Sequence, residues 1–299
     1  MPLTEFLCPD KEKVRVSDCL SSCRMGERCL TLPTLLLVSS DREWKGVAST
    51  TQLLNGTMME FLKITKPYAV DPDSRAFMVS GMKHHKQLEE IAKELGLPAE
   101  IPMSVDRDIF DLIEEEAGGI VLTDYKTWGS FRLAKVLGIE QVGKQPDPSG
   151  EVYKSSGKWG KAGSPKMVAL FAPNPTKANN FEAEMQLNRY RIMLWHLGIK
   201  VTKMQLQVTV RDGGLYIAKN RGITKNIYKI PVREQEDVFV ESYFRMKQDN
   251  LGGALIEGKC LYPCTDQECW EGVRCRSFCD VAQYCSEGKS TKVEEDADV

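Results

Sequence analysis

Ten cysteines sit only at the two ends of this chain. Cys8, Cys19, Cys23 and Cys29 form one group, and Cys260, Cys264, Cys269, Cys275, Cys279 and Cys285 form the other. None lies in the 230 residues between Cys29 and Cys260. Thiols scattered through a core would not leave that gap, so the two ends are expected to be tied together. In a reducing compartment, clustered cysteines serve as metal ligands more often than as disulfides. The first residues, Met1–Lys13, carry no apolar run between a basic start and a small-residue cleavage site. The longest apolar stretch, Leu30–Val38, is interrupted by Pro33 and is too short to cross a bilayer. The expectation is a cytoplasmic protein (host cytoplasm, were the source a phage) with no membrane partner.

The chain is 299 residues long, 42% hydrophobic and 27% charged, which fits a globular protein with a sizeable core. Net charge is −2, but Glu151 to Glu234 holds fifteen Lys/Arg against five Asp/Glu. A basic middle on a nearly neutral chain suits a polyanion-binding face, and equally a solvated basic surface. Periodicity predicts helices over 16–30, 51–64, 83–95, 180–197 and 234–248. It predicts strands over Ile101–Phe110, Gly119–Thr127, Val201–Val210, Leu215–Ala218 and Tyr228–Val232, with Asp212-Gly213-Gly214 as a hairpin turn. Residues 141–165, rich in Gly, Pro, Ser and Lys, read as an exposed loop. The expected class is α/β: a central mixed sheet flanked by helices. The expected organisation is an N-terminal helical region (1–80), a core (81–248) with an insertion (128–180), and a cysteine-rich segment with an acidic tail (249–299).

The segment that promises chemistry is Gly119-Ile120-Val121-Leu122-Thr123-Asp124-Tyr125-Lys126-Thr127. Strand side chains alternate, so Asp124 and Lys126 share a face at the end of an apolar strand. A carboxylate there suits a hard divalent cation such as Mg²⁺, with the ammonium beside the attacking water. One carboxylate rarely suffices, and Asp106 and Asp108 lie on the candidate neighbouring strand, again on one face. Gly81-Met82-Lys83-His84-His85 opens the helix before them. His85 can add an imidazole ligand. Gln186 and Tyr190 stand four apart on the long helix, so they too share a face.

In that order, Gly-x3-His (Gly81, His85), Asp106, Asp-x-Lys (Asp124, Lys126) and Gln-x3-Tyr (Gln186, Tyr190) resemble the RecB-like branch of the PD-(D/E)XK nuclease superfamily. The cysteines extend the resemblance. Cys275-x3-Cys279-x5-Cys285, with a distant N-terminal partner, is similar to the iron–sulfur staple of the AddB-type nucleases and the CRISPR-associated four-cysteine exonucleases, where the first spacing is usually x2. The resemblance implies a restriction-endonuclease-like core, a DNA substrate, single-stranded in preference, and Mg²⁺ or Mn²⁺. It implies that His85, Asp106, Asp124 and the carbonyl of Tyr125 ligate the ion. Lys126 would lower the pKa of the attacking water or hold the scissile phosphate, and Gln186 and Tyr190 would position the strand. Asp108 remains an alternative to Asp106.

The implied cluster ligands are Cys23, Cys275, Cys279 and Cys285, with Cys19 one helical turn from Cys23 as the competitor. Four thiolates suit a [4Fe–4S] cluster or a structural Zn²⁺. Cys260, Cys264, Cys269 and Cys8 would make a second site or remain free thiols. Gly253-x4-Gly258-Lys259 imitates a phosphate-binding loop, but Cys260 replaces the required Ser/Thr. Trp128, Tyr153 and Trp159, among lysines, are candidates for stacking single-stranded bases or for ordinary packing. The contrasting function is a non-catalytic, cluster- or zinc-stapled DNA-binding subunit of a recombination or repair assembly. Neither a protein partner nor self-association is legible.

Overall fold

Phe6 is the buried centre of the first strand, Leu3–Leu7 (β1), which pairs antiparallel with Lys13–Arg15 (β2). The computed structural model describes residues 3–40, 44–103, 108–147, 149–157 and 160–288. Val16–Ser21 (α1) follows β2 directly and buries Cys19. It stops well short of the helix predicted to residue 30. Leu32–Ser39 (α2) comes from the apolar stretch that Pro33 interrupts. A proline in the first helical turn forfeits no hydrogen bond, so it starts this helix instead of breaking it.

The helix predicted over 51–64 is two: Thr50–Leu54 (α3) and Thr57–Thr65 (α4). Ser49 and Gln52 form a capping box at the start of α3. The break at Asn55-Gly56 has a tertiary cause. Lys247 donates to the Asn55 carbonyl at 2.7 Å, and Arg274 donates to the Asn55 side chain at 2.6 Å. A Cβ on Gly56 would come within 2.2 Å of the Cys264 sulfur. Sequence periodicity carries no trace of partners some 190 residues or more away. Tyr68–Val70 (β3) then pairs parallel with β1, giving a three-stranded sheet in the order β2-β1-β3.

Ala76–Glu94 (α5) is longer than predicted and places Gly81 and His85 in mid-helix. Ala99–Pro102 (β4) and Ile109–Glu116 (β5) replace the single strand read over Ile101–Phe110. Gly119–Trp128 (β6) matches its prediction closely. Ser130–Leu137 (α6) comes next, and Ile139–Pro146 (β7) pairs with Met167–Pro173 (β8), so part of the predicted loop is a hairpin. Gly138 ends α6 at a φ of +62°, and a Cβ there would meet the Asn174 carbonyl at 2.2 Å. Phe181–His196 (α7) and Val201–Val210 (β9) fall where the patterns put them.

The hairpin expected at Asp212-Gly213-Gly214 does not form. Tyr216–Lys219 (α8) is helical, and the strand that returns along β9 is Ile227–Val232 (β10). Asp212 instead accepts from the Ser130 amide at 2.7 Å and the Ser130 hydroxyl at 2.6 Å, serving the N-terminus of α6. Asp237–Glu257 (α9) runs nine residues past its predicted end and closes on Gly258. Val273–Ser277 (α10) is a short helix within the cysteine-rich segment. The main sheet has five strands in the order β10-β9-β6-β5-β4, and the class is mixed α/β. Among the described residues, no helix is long and apolar enough to cross a membrane.

The chain divides into two compact units. One comprises Met1–Leu122, Met185–Thr202 and Glu234–Val299, and the other Thr123–Glu184 and Lys203–Arg233. The first is centred on Phe6, Leu35, Leu53, Met185, Leu187 and Leu194. The second is centred on Leu133, Leu206, Val208 and Ile223. The ends of the chain meet within the first unit. Lys13 Nζ donates to the Gln283 side chain at 3.3 Å, Tyr284 donates its hydroxyl to the Pro67 carbonyl at 2.8 Å, and Lys63 pairs with Asp280 at 3.2 Å.

Candidate functional site

His85, Glu100 and Asp111 form the clearest candidate metal group, and two of the three were not foreseen. One ligand atom from each lies within 4.8 Å of the other two. His85 Nδ1 is 3.6 Å from Glu100 Oε1 and 3.6 Å from Asp111 Oδ2. Each comes from a different element. His85 projects from α5, Glu100 from β4 and Asp111 from β5. The register pairs Ala99 with Leu112 and Ile101 with Phe110, so Glu100 occupies the position facing Asp111. Carboxylates directly opposed across strands repel. Holding them together calls for positive charge between them, from a protonated imidazole or a cation. Glu100 has a φ of +51°, a conformation that non-glycine residues seldom adopt and that often marks functional sites. His84 stands edge-on to His85, their centroids 6.3 Å apart. Burial, and then the neighbouring His85, push the His84 pKa below its usual value.

Asp111 lies just past the predicted strand, which ends at Phe110 whereas β5 runs on to Glu116. The signal was present: a lone polar residue amid Phe110, Leu112 and Ile113, followed by the tight Ala117-Gly118 connection to β6. Asp106 lies outside the described residues. Asp108, its alternative, is employed elsewhere. Fully buried, it accepts from the Thr50 amide at 2.7 Å, at the first turn of α3, and lies 4.0 Å from the Arg189 guanidinium. The Arg189 guanidinium in turn stacks on Phe244 at 4.4 Å. Asp108 is therefore a helix-capping and charge-pairing residue.

Asp124 and Lys126 meet as alternation predicts. Lys126 Nζ is 2.9 Å from one Asp124 oxygen and 2.6 Å from the other. Asp124 is buried, while Lys126 keeps partial access to solvent. Below them on the same strand, Thr123 accepts from Gln205 at 3.0 Å, joining β6 to β9 through two buried polar groups. Gln186 and Tyr190 also meet, with the Gln186 amide donating to the Tyr190 hydroxyl at 3.4 Å. Trp128 is buried with Arg132 stacked on its ring at 4.7 Å, and the Tyr153 ring packs on Gly160. The Trp128 ring is thereby committed to packing, while Tyr153 stays half-buried. Trp159 lies outside the described residues.

All ten cysteines are free thiols, and no three of their sulfurs approach within 4.8 Å of one another. They nonetheless fall into two sets. Cys275 feels Cys269, Cys279 and Cys285; Cys264 feels Cys285 and Cys279. Burial pushes the Cys264 thiol up to about 12, and burial followed by its thiol neighbours raises Cys275 to about 11. Burial likewise raises Cys279 and Cys260. Burial, and then Cys29, Cys8 and Cys23, raise the Cys19 pKa.

No family model and no curated protein matches the chain. Among solved structures, one described as "Crystal structure of SSO0001" is similar, with 13% identity, 86% of this chain and 94% of that chain covered, and a TM-score of 0.40. That likeness is too slight to assign a fold family.

Proposed function

We propose that the chain is a metal-dependent deoxyribonuclease on a restriction-endonuclease-like core, an exonuclease or end-processing enzyme acting on single-stranded DNA. The observation that carries this reading is the His85–Glu100–Asp111 group, an imidazole and two opposed carboxylates. That donor set of nitrogen and hard oxygen suits Mg²⁺ or Mn²⁺. Asp111 takes the role that the resemblance gave to Asp106. A bound Mg²⁺ or Mn²⁺ would neutralise charge on the phosphate and bring water closer to ionisation at neutral pH.

The resemblance also gives Asp124 and the Tyr125 carbonyl a part in the reaction. The Asp124–Lys126 pair supports this in one respect. Lys126 pairs with a buried carboxylate while its own side chain reaches partly into solvent, where an ammonium can meet a phosphate oxygen or the attacking water. Tyr190 and Gln186, linked to each other, would position the strand. A cluster at the C-terminal end would take Cys275, Cys279 and Cys285, with Cys264 as fourth thiolate in place of Cys23. A [4Fe–4S] centre spaces its thiolates more widely than a single ion does, which suits sulfurs that do not close on one point.

The test is cleavage of end-labelled single-stranded DNA with Mn²⁺ or Mg²⁺. Asp111→Asn and Asp124→Asn should each remove activity and spare DNA binding. Lys126→Met should lower turnover more than it weakens binding. Full activity in either aspartate variant would refute the site. Salt-dependent DNA binding with no cleavage under any divalent ion would leave the non-catalytic subunit as the function.

A further inference from the structure

We propose that the Phe131 ring is a stacking platform for one base of a single DNA strand, with Lys135 and Arg221 beside it to meet that nucleotide's phosphate. This deepens the reading of the chain as an enzyme acting on single strands, and rests on it. Phe131 and Lys135 stand four apart on α6, so they share a face. Leu133 and Val136, on another face of the helix, are the side chains it buries. Phe131 itself is 59% exposed, so its ring adds little to the core and stays open to a ligand.

Two cations lie over that ring. Lys135 Nζ is 4.9 Å from its centroid and the Arg221 guanidinium 5.6 Å. A local network holds Arg221 there. It donates to the Ser130 hydroxyl at 2.9 Å and pairs with Asp212 at 3.6 Å, the same carboxylate that serves the start of α6. Gly222 brings the backbone beside Arg221 close to the β7–β8 pair. Its φ is +74°, and a Cβ there would come within 2.7 Å of the Ile139 side chain and 2.8 Å of Phe171. Phe131, Lys135, Ile139, Phe171, Lys177 and Arg221 border one cleft of about 370 Å³, within the range of small-ligand sites. Among the described residues that line it, Glu140 is the acidic one, and Lys177 pairs with it.

These groups select the ligand. An open aromatic face attracts the face of a base, and every base has one, so the contact is indifferent to sequence. In a duplex, neighbouring pairs cover the base faces; in a single strand, a base can turn onto the ring. An ammonium over an exposed ring is held weakly, so Lys135 can leave it for a phosphate oxygen. The surroundings favour a polyanion. Lys203–Arg233, the stretch that carries Arg221, holds seven Lys/Arg and one Asp. Trp128, singled out in the sequence for the same role, is buried and leaves it to Phe131.

The test is fluorescence anisotropy of a labelled oligothymidylate with the full chain and no divalent ion added, so that binding is read without cleavage. Phe131→Ala should weaken binding about fivefold or more, and Phe131→Trp should keep it. A strand of abasic sites should bind the native chain and Phe131→Ala equally, because it offers phosphates and no base. Lys135→Gln should lower the salt slope by about 0.7, the share of one phosphate on a single strand. Free thymidine monophosphate at equal nucleotide concentration should not displace the strand; displacement would make the cleft a mononucleotide site and overturn the assignment. Oligothymidylate binding indifferent to Phe131→Ala, or an equal loss on the abasic strand, overturns the platform and leaves the nuclease reading standing. A native chain that binds no single strand overturns both.

Discussion

Asp108 and Asp111 stand three positions apart, one a structural carboxylate and the other a candidate metal ligand. Asp108 caps α3 and pairs with Arg189, so Asp108→Ala leaves an amide without its acceptor and a nearly buried guanidinium without its counter-charge. Breaking such a pair from one side costs about 3–5 kcal/mol. The expected result is a much lower urea midpoint with residual Mn²⁺ binding per folded molecule unchanged. Asp111→Asn should do the reverse. The volume is kept and the strand position is half-buried, so the midpoint moves little. Mn²⁺ affinity and turnover should fall by roughly 100-fold or more, since a ligand is worth at least as much as the groups that orient one. Isothermal titration beside urea denaturation separates the two outcomes. His85 stands out in the sequence because histidine is scarce in this chain. Glu100 was not, because nothing local marks a glutamate that faces an aspartate across strands.

Elements were legible where pattern alone decides them. The β6 strand, α7 and β9 are long and strongly periodic, and their expected bounds lie within about two residues of those observed. Failures occurred where a distant group overrides the local pattern. The interval between α3 and α4 is held open by Lys247, Arg274 and the Cys264 sulfur, all from the far end of the chain. Leu215–Ala218 is apolar enough for a strand, but Asp212 is spent on α6, so the turn that would have launched a hairpin is not available. Gly56 gives this scale its prediction. Its φ of −62° suits any residue, so Gly56→Ala brings no backbone strain, and the clash is chiefly with the Cys264 sulfur, with the Cys264 Cβ at 3.0 Å and Glu268 Oε2 at 3.4 Å behind it. The substitution should cost about 1–3 kcal/mol by overpacking. Cys264→Ala in the same chain should recover most of that loss, which a double-mutant cycle by chemical denaturation would read.

Across the whole molecule, charge and thiols were the least legible features. The basic excess over 151–234 is partly consumed internally: Lys166 pairs with Glu151, Lys177 with Glu140, Arg221 with Asp212 and Arg233 with Glu184. Composition counts charges and not their partners. The tying of the two ends, by contrast, was foreseen from the cysteine gap, and among the described residues Lys13–Gln283, Tyr284–Pro67 and Lys63–Asp280 contribute to it.

The thiols make the alkaline limb of stability a measurement of their burial. Cys264 is held up to about 12 and Cys275 to about 11, against an ordinary value near 9. In the unfolded, metal-free chain these thiols ionise near pH 9, whereas in the folded chain they stay protonated above it. Between those values the folded state binds more protons, so stability falls as pH rises. A chelated, reduced sample should therefore lose melting temperature progressively from about pH 9 upward. Cys264→Ser should flatten that slope, because its hydroxyl does not titrate there. A metal bound to these thiols, as proposed, would reverse the sign at lower pH. Thiolates in a loaded centre are already deprotonated, so the loaded chain should gain stability as pH rises from acid toward neutrality, where protons cease to compete for sulfur. Two melting series, one loaded and one chelated, should then separate most widely near neutral pH. A chelated chain whose midpoint does not change between pH 8 and 11 would show that the C-terminal thiols are not buried as the fold has them.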